Sequence, residues 1–129
     1  MLKCIYIHQM KKASLVLMII FYLLAGFNHF RNPEAYYKII PPYFADHVMI
    51  NIIAGIAEIV FALLLLIPAT KKFACYAIIV MLIAFIPAHI YMLKTGFCVM
   101  GYCAPQWVLW ARLLVLQPLL VFWAWGNRK

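Results

Sequence analysis

Residues 73–93 contain no Asp, Glu, Lys or Arg, and neither do residues 13–30. A charge-free apolar run of this length has few ways to fold. Lipid offers the backbone no hydrogen-bond partners, so a segment crossing a bilayer must satisfy its own amides, and about 20 apolar residues do so as one helix. Two further stretches repeat the pattern, broken only by Glu58 and Arg112. Four spans are therefore expected at approximately Ser14–Phe30, Val48–Ile67, Phe73–Leu93 and Trp107–Trp125. The first reads as a span and not a cleavable signal: Gly-Phe-Asn-His-Phe-Arg follows it, with no small-x-small site. Cys4 has no apolar region ahead of it and is not read as a lipidation cysteine.

The predicted fold class is all-α: a polytopic membrane protein folded as a four-transmembrane-helix bundle, one domain over residues 1–129. Neither a repeat nor a linker interrupts it. With 69% hydrophobic and 11% charged residues, a 129-residue globule could not cover its own surface. A soluble monomer, a disordered chain and a nucleic-acid binder are thereby excluded. The net charge of +8 has another meaning. Lys3, Lys11, Lys12, Lys71, Lys72, Arg128 and Lys129 fall on one side of the spans. Arg31, Lys38, Lys94 and Arg112 fall on the other, with Glu34 and Asp46. The positive-inside rule then places both termini in the cytoplasm and the chain in the cell membrane.

The first outer connection has structure of its own. Asn32-Pro33-Glu34 reads as an N-cap, a first-turn proline and an acid matched to the helix dipole. A short interfacial helix through Ala35–Ile40 is expected, stopped by Pro41-Pro42, serving as a cap over the bundle mouth.

Polar groups within spans are costly and mark function or helix pairing. Glu58 lies mid-span on a stripe with Asn51, Ala54, Gly55 and Ala62 at helical spacing. It reads either as a proton-handling or ligand-anchoring acid or as an interhelical hydrogen bond. Arg112 sits roughly 8 Å below the outer end of the fourth span. It could snorkel to water, pair with Glu58, or meet an anionic or carbonyl-bearing ligand. His29, after Gly26 and Asn28, and His89, after Pro87, lie at similar heights. Two such histidines could bracket a haem, hold a quinone or another ring-bearing ligand, or hydrogen-bond at the interface. The polar groups converge on the outer half, and the inner half reads as almost wholly apolar.

Cys98 and Cys103 share the second outer connection with two glycines, and on the oxidising side they could close a disulfide. A structural staple and a redox pair are both open, the latter without the usual C-x-x-C spacing. Two sulfurs make a poor metal site, and none is expected.

Taken together, these stretches resemble the DoxX-like family of small four-span membrane proteins over nearly the full length. The matching segments are Ala25–Phe30 with Pro33 and Tyr36, Ile40-Pro41, Gly55–Ile59, Leu65–Thr70, Phe85–Met92, Trp110–Leu113 with Gln117, and Trp123–Trp125. Three departures stand out. The family usually has asparagine at the position of His89, and the cysteine pair is not part of its general pattern. Its fourth span places glutamine four residues after arginine, whereas Gln117 is five after Arg112, about 140° around a regular helix. The extra residue ahead of Pro118 predicts a π-bulge or kink that restores the face.

The resemblance implies a role beside membrane thiol or sulfur oxidation coupled to quinone. The expected function is therefore ligand binding in an outer-half pocket by Glu58, Arg112, His29, His89, Asn51 and Asn28. The ligand is expected to be ring-bearing or lipid-like, quinone being favoured, with no covalent cofactor. The lipid bilayer is one partner and a membrane redox protein another; a homo-oligomer stays open, as does enzymatic activity. The alternative is a non-catalytic subunit or assembly factor of a larger complex. A small proton-coupled transporter fits less well, because the inner half lacks a polar path.

Overall fold

The computed structural model describes residues 1–129 and contains four helices long and apolar enough to cross a membrane. The first is α1 (Leu2–Arg31) and the second α3 (His47–Leu65). The third is broken into α4 (Pro68–Ala84) and α5 (Ile86–Thr95). The fourth runs through α6 (Gln106–Ala111), a π-helical turn (Arg112–Leu116) and α7 (Gln117–Asn127). A short α2 (Pro33–Tyr37) and a β1–β2 hairpin (Cys98–Val99, Tyr102–Cys103) lie in the two connections at one end, here the loop end. Both chain termini lie at the other, the terminal end. The four-helix bundle is thus present, and the side chains it leaves uncovered (Leu24, Phe27, Val80, Phe122) are those suited to lipid.

Local sequence explains the breaks. Pro87 cannot donate to Ile83 and crowds its carbonyl, so the third span breaks at Phe85 and resumes as α5. Pro118 likewise cannot donate to Leu114. One residue earlier, the Gln117 amide reaches back five residues to the Arg112 carbonyl, which is the π hydrogen bond. The bulge expected from the spacing of Arg112 and Gln117 is therefore present. In the hairpin, Met100 and Gly101 both adopt positive φ, the requirement of a tight two-residue turn that glycine meets without strain. The Cys98–Cys103 disulfide pairs the strands directly opposite each other.

Two expectations change. α1 begins at Leu2, not near Ser14, so about 45 Å of continuous helix overruns a hydrocarbon core of about 30 Å. Lys11 and Lys12 end the apolar span without ending the helix, since lysine and glutamine are good helix formers. Asn32 precedes α2 but does not cap it with its side chain. Its Nδ2 donates instead to Asn28 Oδ1 in the last turn of α1 (2.8 Å). Asp46, by contrast, caps α3 by accepting from the Met49 amide (2.9 Å).

Met18, Tyr22, Leu65, Ile78, Leu82 and Ala124 belong to the buried core that joins all four spans toward the terminal end. That end also holds a polar tie absent from the sequence reading. Trp123 Nε1 (2.9 Å) and Asn127 Nδ2 (3.2 Å) both donate to Ser14 Oγ. The tie fastens α1 to α7 and places polar groups in the half toward the terminal end, which the sequence reads as almost wholly apolar.

Where α1 packs closely on α3, Gly26 and Gly55 face each other. A Cβ added at Gly26 would lie 2.8 Å from the Gly55 carbonyl oxygen; one at Gly55 would lie 2.8 Å from His29 Cβ. Without much hydrophobic drive between helices in lipid, small residues allow the close packing that holds them together.

A candidate ligand site between two helix pairs

Toward the loop end the bundle divides. α1 stays with α3, while the loop-end part of the fourth span leans on α5, where Gln106 Nε2 donates to the Leu93 carbonyl (3.0 Å). Between the two pairs lies a cavity of about 240 Å³. An apolar cavity of about 150 Å³ accepts benzene, so this space holds a substituted ring. Ile39, Ile40 and Phe44, from the connection after α2, form part of its lining.

Five of the expected residues meet there, for His29, Asn51, Glu58, His89 and Arg112 all line the cavity. Asn28 does not. It stands behind, its Nδ2 donating to Tyr36 Oη (2.7 Å), and the Tyr36 ring stacks on His29 at 3.7 Å between centroids. The first-loop helix therefore contributes a side chain to the site as well as a cover. Burial lifts the Tyr36 phenol above its ordinary pKa, against the opposing effect of the Asn28 hydrogen bond.

Glu58 is paired with His29, not with Arg112. The stripe expected on α3 is the buried face, with Asn51, Gly55, Glu58 and Ala62 all turned inward. Asn51 holds His29 at two points: its Nδ2 donates to the His29 carbonyl oxygen (2.9 Å), and its Oδ1 meets the ring Nδ1 (2.6 Å). Only the NH₂ of an amide can donate to a carbonyl, so the oxygen must face Nδ1, and Nδ1 must carry the proton. In the neutral ring Nε2 is then a bare acceptor. It faces Glu58 Oε2 at 3.5 Å, long for a hydrogen bond. One acidic proton is available to this pair, either on the carboxyl or on Nε2, where it makes an imidazolium–carboxylate pair.

Several polar groups around the cavity lack a partner. Glu58 Oε2, His89 Nδ1 and Tyr22 Oη are buried without a hydrogen bond, and all three residues line it. Arg112 makes no ion pair or hydrogen bond. Gln117 does: its Nε2 donates to the Leu82 carbonyl (2.9 Å), and the wide π turn below Arg112 brings both side chains to the cavity wall. Tyr22 was not expected as a site residue, because a tyrosine in an apolar span reads as core. Cys98 and Cys103 lie outside the cavity, in a hairpin tied to the first connection by Lys38 Nζ donating to the Cys98 carbonyl (3.3 Å).

Residues 18–128 match the family model described as "Domain of unknown function (DUF8561)". The chain belongs to that family. The matched region contains every residue lining the cavity and leaves the first turns of α1 outside. No curated protein and no solved structure matches the chain.

Proposed function

We propose that this multi-pass membrane protein binds a ring-bearing ligand with carbonyl or hydroxyl groups, a quinone or quinol, in the cavity between the two helix pairs. The carrying observation is that Arg112, Tyr22, His89 and Glu58 present polar groups without a hydrogen bond to one largely apolar space. Unmet donors and acceptors in a dry site are costly unless a ligand meets them. Arg112 and the Tyr22 hydroxyl can donate to carbonyl oxygens. A ligand hydroxyl can donate to His29 Nε2 or to Glu58, so the pair can take up or return its proton. The similarity to DoxX-like proteins supports a role beside a membrane thiol or sulfur redox system, with the electron carrier on a partner protein. On this reading the loop end faces outward and both termini face the cytoplasm, in keeping with the basic residues at the terminal end.

The test is the thermal stability of the purified protein with a water-soluble benzoquinone and its quinol. Stabilisation of the wild type that is lost in both Glu58→Gln and Arg112→Gln is the expected result. An unchanged melting temperature in the wild type refutes the proposal. A second reading, a subunit or assembly factor, draws on the α1 overhang, where Ile5, Tyr6 and Met10 are exposed beyond the bundle. Under that reading Glu58→Gln and Arg112→Gln co-purify normally with one stoichiometric partner, while truncation of residues 2–12 releases it.

A further inference from the structure

We infer that the cavity opens sideways into the bilayer between α1 and the fourth span, and that its ligand carries a hydrocarbon tail lying in this gap. The inference rests on the ligand site proposed above and adds a class of ligand and a route to the site.

The route follows from where the helices touch. At the terminal end α1 is fastened to α7 by the Ser14 hydrogen bonds and by Phe21 against Trp123, 5.9 Å between ring centroids. Farther toward the loop end, α1 keeps to α3 and the fourth span keeps to α5, so the two helices part. Phe21 on one side and Leu116 and Leu120 on the other line the cavity at this parting. Phe21 and Leu116 are also exposed on the outer surface of the bundle, at 38% and 40%, so they belong to both the cavity wall and the lipid-facing surface.

Depth gives the direction. Phe21 lies eight residues before His29 and Leu120 eight after Arg112, which puts each roughly 12 Å nearer the terminal end along its helix. His29, His89 and Arg112 therefore sit toward the loop end of the space and the apolar opening toward the terminal end, where Tyr22 and Gln117 lie beside Phe21 and Leu116. A polar ring with an apolar tail matches this order: head at His29, His89 and Arg112, tail between Phe21 and Leu116.

The approach past α2 is obstructed. Ile40 and Pro41 are buried, and Tyr36 is stacked on His29 and held by Asn28. A ligand arriving from that side would have to lift α2 and break these contacts. One arriving from the bilayer meets only Phe21, Leu116 and Leu120.

The experiment compares a tail-less benzoquinone with the same head group carrying a decyl chain, on the purified protein in lipid nanodiscs. Affinities are expressed per mole fraction of ligand in the bilayer, and protein-free nanodiscs correct for partitioning. The variants are Leu116→Trp, which fills the gap, Leu116→Ala, which widens it, and Ala84→Trp, at an exposed part of the cavity lining on another span. The tail is expected to strengthen wild-type binding at least about tenfold. Leu116→Trp should abolish that gain while leaving the tail-less ligand within about twofold, and Leu116→Ala should retain it. A wild type that binds both ligands equally overturns the inference and leaves the ligand site standing. So does loss of the tail effect in Ala84→Trp but not Leu116→Trp, or a dimer whose interface is broken by Leu116→Trp. Failure of the wild type to bind either ligand overturns the ligand site as well.

Discussion

Replacing Asn51 by leucine tests the arrangement of the site at its most connected point. Asn51→Leu removes the donor to the His29 carbonyl (2.9 Å) and the acceptor for Nδ1 (2.6 Å), at nearly constant volume. Interhelical hydrogen bonds in membrane proteins average about 0.6 kcal/mol and reach about 1.7, so losing two should cost about 1–3 kcal/mol. Unfolding in mixed micelles of mild detergent and dodecyl sulfate measures that loss. The more informative reading is the tautomer. In the wild type Asn51 obliges Nδ1 to hold the proton and leaves Nε2 bare toward Glu58. Without Asn51, and at a pH where the pair has lost its acidic proton, the ring proton gains by moving to Nε2, where the Glu58 carboxylate accepts it. Nitrogen-15 spectra of histidine-labelled protein, with His29→Gln to assign the signal, should show Nδ1–H in the wild type and Nε2–H in Asn51→Leu. Asn51→Asp, which keeps an acceptor for Nδ1 and loses only the donor, should retain the Nδ1–H form. An unchanged tautomer in Asn51→Leu would refute the claim that Asn51 sets the direction of the His29–Glu58 proton.

Gly26→Ala should destabilise by a net of about 1–2 kcal/mol in the same assay, because the new methyl meets the Gly55 carbonyl oxygen at 2.8 Å and a backbone atom cannot swing aside. Ultraviolet titration of the wild type minus Tyr36→Phe should show one phenol ionising above the ordinary tyrosine range. Since the folded state holds that phenol neutral, its stabilising effect is complete below the unfolded pKa of about 10 and declines as pH rises from there through the folded value. Cys98→Ser should cost about 2 kcal/mol, the loop-closure value for cysteines five apart, and leave ligand binding intact because the hairpin lies outside the cavity. Deleting Val115 should convert the π turn to regular α-helix, set glutamine four residues after Arg112 on one face, and preserve both folding and ligand affinity; a collapse of affinity would mean that the bulge has a role beyond restoring the face.

The spans were legible because charge is so costly in hydrocarbon that its absence delimits them directly. The same signal failed at the start of α1: Lys11 and Lys12 set the edge of the apolar region, but a helix in water has no reason to stop at lysine. The π turn was legible for a different reason. Two polar side chains five residues apart cannot share a face of an α-helix, and Pro118 supplies a place for the ladder to break. At Asn32 the local pattern was correct for a helix start but silent about Asn28, one turn back on a different helix, which competes for the same amide.

For the site, helical spacing placed Glu58, Asn51 and Gly55 on one face, and chain position gave the height of His29 and Arg112. Neither gives the angle at which one helix presents its side chain to another. Glu58 and Arg112 attract each other in any reading by charge alone, yet the carboxyl group lies against His29, where Gly26 and Gly55 let α1 and α3 pack closely. That pairing decides the chemistry. Had Glu58 met Arg112, the two would form an ion pair, with the carboxylate held ionised and no longer exchanging a proton with His29. By meeting a neutral imidazole instead, Glu58 gains a proton partner, and Arg112 is left as a free cation at the same cavity. The two glycines, absent from the cavity lining themselves, pack against two residues that form it, Glu58 and His29.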